Sequence, residues 1–164
     1  MSMVHLKQNW KMARINCGID PQYLSDQHLI AESVECTMIT GSLVFNGHQI
    51  KGDIPEKFTL GKGHINFFKD KLLYLSLRLS KVNYELKHRD FKVTNKIKLT
   101  DFPIDYIWGW NPTMEDSEIV RERIVDRLKN PRKAKSGFHK YYGKSIDDMD
   151  EFCDKLSKSK LYFV

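Results

Sequence analysis

Apolar residues recur at helical spacing through most of this chain. From His64 to about Lys87 they fall at Ile65, Phe68, Leu72, Leu75, Leu79 and Val82, in steps that alternate three and four. That rhythm predicts a central amphipathic helix, the longest element, opened by Gly61 and Gly63. Asp20 followed by Pro21 reads as a helix cap with proline in the first turn. It predicts a helix through about Val34 with Leu24, His28, Ala31 and Glu35 on one face. Thr113 and Asp116 are spaced as a capping box and predict a helix to about Leu128, stopped by Pro131. A last helix is expected from Ser145 to about Lys158, with Ile146, Met149, Phe152, Cys153 and Leu156 on one side.

Between these periodic stretches the pattern lapses. After Gly41 a polar run with Gly47, Gly52 and Pro55 reads as a loop that could hold a short hairpin. A second loop, from about Arg89 to Asn111, carries Pro103 and the patch Tyr106, Ile107, Trp108 and Trp110, whose rings are expected to plug the core. There is no internal repeat. The expected fold is all-α: a compact, single-domain bundle of three to four helices with long loops.

Composition narrows the class. The 164 residues suffice for one core without disulfides or metals, and a mean hydropathy of −0.50 suits a soluble chain. No apolar run approaches the length of a membrane span, and MSMVHLKQNWK lacks the apolar centre of a signal peptide. A cytoplasmic protein is expected. Cys17, Cys36 and Cys153 are odd in number and scattered, which argues against a disulfide frame or a structural zinc and for buried thiols.

The net charge of +6 is concentrated near one end of the chain. Between Arg121 and Lys144 nine Lys or Arg residues face only Glu122 and Asp126, a local net of +7 that leaves the rest at −1. Phe138, Tyr141 and Tyr142 lie among those cations, a mixture suited to a phosphate backbone with an unstacked base beside it. The bland alternative is a solvated helix face and a basic tail.

Three blocks carry the chemistry. DQHLIAESVE, from Asp26 to Glu35, sets four kinds of polar group on one helix; FTLGKGHINFFKDKL spans Phe58 to Leu72; HKYYGKS spans His139 to Ser145. The GKGH turn lacks the spacing and the Lys-Ser/Thr pair of a phosphate loop. Taken alone, Glu35 reads as a surface glutamate and His28 as a hydrogen-bonded core histidine. With the start MARIN at Met12, however, the three blocks resemble the pyrimidine-dimer DNA glycosylase family, the phage endonuclease V type, over about residues 12–146. Residues 1–11 then form an extension that is untranslated or disordered, and 147–164 an accessory helix.

The resemblance implies a DNA-repair N-glycosylase with AP-lyase activity, acting as a monomer on cyclobutane pyrimidine dimers in double-stranded DNA, without metal or organic cofactor. It implies that the α-amine of Ala13 is the nucleophile and Glu35 the catalytic carboxylate. An α-amine, with a pKa of about 7.7 to 8.0, is partly neutral at pH 7, whereas lysine at about 10.4 is not. The match further implies DNA contacts from Arg14, Gln27, His28, Arg123, Lys140, Tyr141 and Tyr142. Of the two tyrosines one is also a candidate for the core, and Lys140 is expected to face phosphate.

The chain departs from the family pattern at two places. Eleven residues precede Met12, and while they are attached the nitrogen of Ala13 is an amide that cannot form an imine. Translation from Met12, followed by Met removal, would free it. Val34 and Met38 stand where the phage enzyme carries arginines that grip the strand. Two other readings therefore stay open: a non-catalytic paralogue that binds lesions or modified DNA, and a glycosylase or nicking enzyme for another modified base.

Overall fold

A computed structural model describes residues 14–130 and 137–161. Expectations that fall on Met12, Ala13, the 1–11 extension, Pro131, Arg132, Lys133 and Lys135 lie outside the described residues. The rest is helical: α1 (Asp26–Phe45), α2 (His64–Phe67), α3 (Leu72–His88), α4 (Met114–Lys129) and α5 (Met149–Lys158). A two-stranded antiparallel hairpin, β1 (Lys140–Tyr141) and β2 (Lys144–Ser145), joins α4 to α5. The all-α bundle with long loops is the observed fold. No helix among the described residues is long and apolar enough to cross a membrane.

The first helix differs from its expected bounds at both ends. The Asp20–Pro21 signal makes only a 3-10 turn, Pro21–Tyr23, because Leu24 leaves it in an extended conformation. The true cap is Ser25, whose hydroxyl accepts from the His28 amide. Leu24 thus precedes the helix instead of sharing its face. At the other end α1 runs through Gly41 to Phe45, since Ile39, Thr40 and Leu43 are buried and packing outweighs one glycine. Glu35, expected at the end of a helix, lies in the middle of one.

The central helix is interrupted. α2 stops after one turn, and Lys71 adopts a non-helical conformation before α3 begins. The loop that follows α3 explains the break. It returns to pair Lys71 with Ile107, and Trp108 donates its amide to the Asp70 carbonyl while its own carbonyl accepts from the Tyr74 amide. One orphan amide of the α3 first turn is thereby satisfied from outside the helix.

The core lies between α1 and α3. Leu29, Cys36, Ile39 and Leu43 meet Leu72, Leu75, Leu79 and Val82, all fully or almost fully buried. Beside it Phe58, Phe67, Phe68, Tyr74 and Trp110 form a cluster of edge-to-face and stacked rings with centroids 5.0–6.1 Å apart. Trp110 therefore does plug the core, but Trp108 is 64% exposed and does not. The cysteines are buried free thiols, as expected.

The Thr113–Asp116 capping box forms and starts α4. The last helix begins at Met149, capped by Asp148, rather than at Ser145, which β2 takes up. It lays Cys153 and Leu156 against α4. The Arg121 guanidinium donates to the carbonyls of Ser157 and Ser159, and Ile19 bridges to Leu161. Arg121, counted above among cations for nucleic acid, is a buried clamp for the C-terminal segment.

Candidate active site

Residues 14–19 thread into the body of the protein and are fixed at successive points. The Ile15 amide donates to Nε2 of His64 (3.1 Å), whose Nδ1 donates to the Thr59 carbonyl (2.8 Å). Burial pushes the His64 pKa down to about 4, so the ring stays neutral and can accept that bond. The amide and side chain of Asn16 both donate to the Glu32 carboxylate, at 3.1 and 2.9 Å. Glu32 is held in turn by Arg78 at 2.6 and 3.1 Å, and Arg78 donates to the Ile19 carbonyl. Gly18 has φ +77°, and a Cβ there would fall 1.7 Å from Oγ of Ser117 on α4. Only glycine permits that approach.

α1 therefore carries two buried glutamates one turn apart with opposite fates. Glu32 is fully paired. Glu35 is 1% exposed, yet among the described residues neither carboxylate oxygen has a hydrogen-bond partner. Burial pushes its pKa up to about 7, against the opposing pull of the Arg14 and Arg123 guanidiniums and with a small push from Glu32. A carboxyl that titrates near neutrality inside a folded chain suits general acid–base chemistry and costs the fold stability once it ionises.

Two arginines, Arg14 and Arg123, act on this position, and Arg127 lies close to Arg123. Arg14 donates from Nε to the Leu60 carbonyl (2.9 Å) and borders an open groove of about 660 Å³, walled also by Pro55, Lys62 and His64. Arg123 and Arg127 project from one face of α4. Burial, then Arg127 and Arg14, lower the Arg123 pKa to about 10, and Glu35 opposes the shift. The local field is thus positive around one uncommitted carboxyl. Arg127 was counted in the basic stretch but not singled out by sequence.

Of the remaining expected contacts, His28 is buried on the same face of α1 as Glu35, and its Nδ1 is 2.8 Å from the Ser25 hydroxyl. Its ring stacks on His139 at 4.9 Å, tilted by 14°. Gln27 accepts the Lys140 amide at 2.6 Å, which leaves the Lys140 side chain exposed. Both tyrosine rings are engaged by Arg89, whose guanidinium lies 4.6 Å from the centre of Tyr141 and 4.7 Å from that of Tyr142. The hairpin is latched further by Asp26, which accepts the amides of Tyr142 and Gly143 and pairs with Arg89 at 3.0 Å. Tyr141 is half-buried and Tyr142 43% exposed, so neither enters the core fully.

Arg14, Glu35, Arg123 and His28 are thus brought into one electrostatic neighbourhood. Gln27, Lys140, Tyr141 and Tyr142 make the rim that closes over the N-terminal end of α1. Sequence reasoning missed Ser25, Glu32, His64, Arg78 and Arg89. Among them only Ser25, a polar residue before the helical run, left a legible signal, that of a cap.

α1 also reverses the usual amphipathic arrangement. Asp26, Glu32 and Glu35 are buried, whereas Ile30, Val34, Val44 and Phe45 face solvent. Among the described residues no group of three or more His, Cys, Asp or Glu is placed to hold a metal ion.

A family model described as pyrimidine dimer DNA glycosylase matches residues 12–99, more than half of the chain. The matched span contains Arg14, Glu35 and the His64, Glu32 and Arg78 side chains that anchor the segment from Ile15 to Ile19, and the chain belongs to the pyrimidine dimer DNA glycosylase family.

Proposed function

We propose that this glycosylase excises the base at cyclobutane pyrimidine dimers in duplex DNA, as a monomer, and then cuts the strand as an AP lyase. The observation that carries the reading is Glu35: buried, unpartnered through both oxygens among the described residues, with a pKa of about 7, and flanked by cations. Support also comes from the anchoring of Ile15 and Asn16, which brings the chain next to Ala13 towards the Glu32–Glu35 face of α1.

In the proposed reaction the neutral α-amine of Ala13, freed by a start at Met12 and Met removal, attacks the sugar C1′. The glycosidic bond breaks, and protonated Glu35 supplies the proton that assists departure of the base. Loss of the amine proton and opening of the sugar ring give an imine. Glu35, now a carboxylate, takes the C2′ proton, and β-elimination breaks the C3′–O bond. Arg14, Arg123 and Arg127 hold the phosphates on either side, while extrusion of the nucleotide costs least at a distorted, poorly stacked lesion.

Borohydride trapping tests the proposal. The protein begun at Met12, with Met removal confirmed by intact mass, is expected to form a covalent adduct with a dimer-containing duplex. The chain that retains residues 1–12 is expected to form none. Absence of an adduct from both, with DNA binding intact, would replace the lyase reading with that of a binding paralogue. The uncharged outer face of α1, with Val34 38% exposed and Met38 half-buried, favours a second reading in which the base removed is a different modified one. Trapping on duplexes that carry other modified bases distinguishes it.

A further inference from the structure

The proposed reaction makes no use of the groove beside Arg14. This groove of about 660 Å³ lies between the loop that joins α1 to α2 and the first turn of α2. Its charged side chains are Arg14, Lys62 and Asp53, and burial keeps His64, on the same wall, neutral. The lining therefore carries a net charge of +1, with Lys62 exposed and Arg14 half-buried.

Specific bonds hold the walls. The Asn66 side-chain amide donates to the carbonyls of Lys51 (3.2 Å) and Asp53 (3.3 Å), and the Gly61 amide donates to the Thr59 hydroxyl (3.1 Å). Gly63 has φ +96°, and a Cβ there would fall 2.8 Å from Cγ of Pro55. Only glycine allows that turn, so backbone geometry sets how Lys62 is presented. The turn is also fastened to the threaded segment on both sides of Lys62. Before it, the Leu60 carbonyl accepts from Arg14; after it, His64 bridges the Thr59 carbonyl and the Ile15 amide. Lys62 is thus carried on a stretch fixed to the residues next to Ala13.

Arg14 joins this groove to the candidate site, because it acts electrostatically on Glu35, Arg123 and Arg127. A DNA strand presents one charge for about every 3.4 Å of its length, so a strand that passes Glu35 needs cations beyond it. The outer face of α1 supplies none, since Ile30, Ala31, Val34 and Met38 are uncharged. The groove supplies Lys62.

We propose that Lys62 is a positioning residue that, together with Arg14, seats a backbone phosphate of the substrate strand in this groove. Asp53 repels the phosphate from its own part of the lining and biases it towards the two cations. A phosphate seated there stops the strand from sliding past Glu35 and sets which sugar faces the Ala13 amine. The inference rests on the reading of the site as one that acts on duplex DNA, and it is independent of the lyase step.

The test is the salt dependence of affinity for a dimer-containing duplex, measured by fluorescence anisotropy. The full chain, in which Ala13 is blocked, allows binding to be read without strand cleavage. Loss of one phosphate contact flattens the slope of log affinity against log salt by about 0.9, which corresponds to about eightfold weaker binding at about 0.1 M salt. Lys62→Gln is expected to show that change. Gly61→Leu alters no charge but fills the groove at a position where φ is ordinary and a Cβ would meet only the Thr59 hydroxyl, at 3.7 Å. It is expected to expel the phosphate and flatten the slope equally. Lys57→Gln removes an exposed lysine of the same loop that does not line the groove, and is expected to keep the wild-type slope. All three variants are expected to melt as the wild type does.

A wild-type slope in Lys62→Gln would overturn the proposal. So would an equal loss in Lys57→Gln, because the loop would then act through general charge alone, and so would a wild-type slope in Gly61→Leu, which would put the Lys62 contact outside the groove. In each of these cases the wild-type chain still binds, and the reading of the site stands. Absence of duplex binding by the wild-type chain would refute that reading, and the proposal with it.

Discussion

Replacing Glu35 by glutamine separates the cost of the site from its chemistry. The amide has the shape of the protonated acid but cannot ionise. In the unfolded chain the carboxyl titrates near the ordinary 4.5, and in the fold burial raises this to about 7. Below pH 4.5 both states hold the proton, and wild type and variant differ only by a constant, the cost of burying an amide in place of an acid. Between pH 4.5 and 7 the unfolded chain releases its proton while the folded chain keeps it, so the wild type loses stability as pH rises. Above about 7 the folded carboxylate is charged with no hydrogen bond from the described residues, and the loss is complete. A displacement of this size corresponds to about 3 kcal/mol.

Urea denaturation of both proteins at pH 4, 6 and 8 measures it. Glu35→Gln is expected to gain about 3 kcal/mol relative to wild type between pH 4 and pH 8, or roughly 6–12 °C in melting temperature for a chain of this size. Cleavage of the glycosidic bond is expected to be abolished. A stability difference that does not grow with pH would refute the reasoning, because the carboxyl would then be solvated or paired in the native protein. The expected exchange of stability for activity is usual for strained functional sites.

Other parts of the structure make equally definite statements. Arg78→Met strands the Glu32 carboxylate with only Asn16 to satisfy it and is expected to cost about 3–5 kcal/mol by chemical denaturation. Gly18→Ala combines a positive φ with a clash against Ser117. It is expected to destabilise by more than 1 kcal/mol and to lower borohydride trapping, whereas Gly41→Ala, with open space around it, should be neutral or stabilising. The buried neutral histidines set the acid limit. With folded pKa values lowered from 6.5 to about 4 for His64 and about 3 for His28, their contribution is complete above pH 6.5 and is lost as pH falls through those values. His64→Asn should therefore flatten the loss of stability measured between pH 6.5 and 4.

The legible parts of this fold were those written in local order. The Thr113–Asp116 box, the α3 stripe from Leu72 to Val82 and the buried thiols all depend on residues within a few positions of one another. The break at Lys71 was not legible, because its cause, the returning strand at Ile107 and Trp108, lies thirty-odd residues further along. For the same reason α1 overran its predicted end near Val34 and continued through Gly41, because the burial of Leu43 against the core outweighs one glycine. At the site, the family motif picked out Arg14, Glu35, Arg123 and His28, and the structure gathers them. The pairings Glu32–Arg78 and Asp26–Arg89 span 46 and 63 residues, and no periodicity announces them. The aromatic HKYYGKS block suggested rings awaiting a base, but both tyrosines already lie against the Arg89 guanidinium.

The anchoring of the threaded segment has a practical side. The holds that fix it use Arg14, Ile15, Asn16 and Ile19, through His64, Glu32 and Arg78, and each of these lies downstream of the peptide bond that joins Met12 to Ala13. If Ala13 supplies the nucleophile, a leader or purification tag ahead of it would leave circular dichroism, melting curve and elution volume unchanged while silencing the chemistry. A protein handled that way would pass ordinary quality control as an inert DNA binder. The same property allows deliberate masking: a protease site ending immediately before Ala13 would turn the folded, storable protein into a triggered enzyme at a chosen moment.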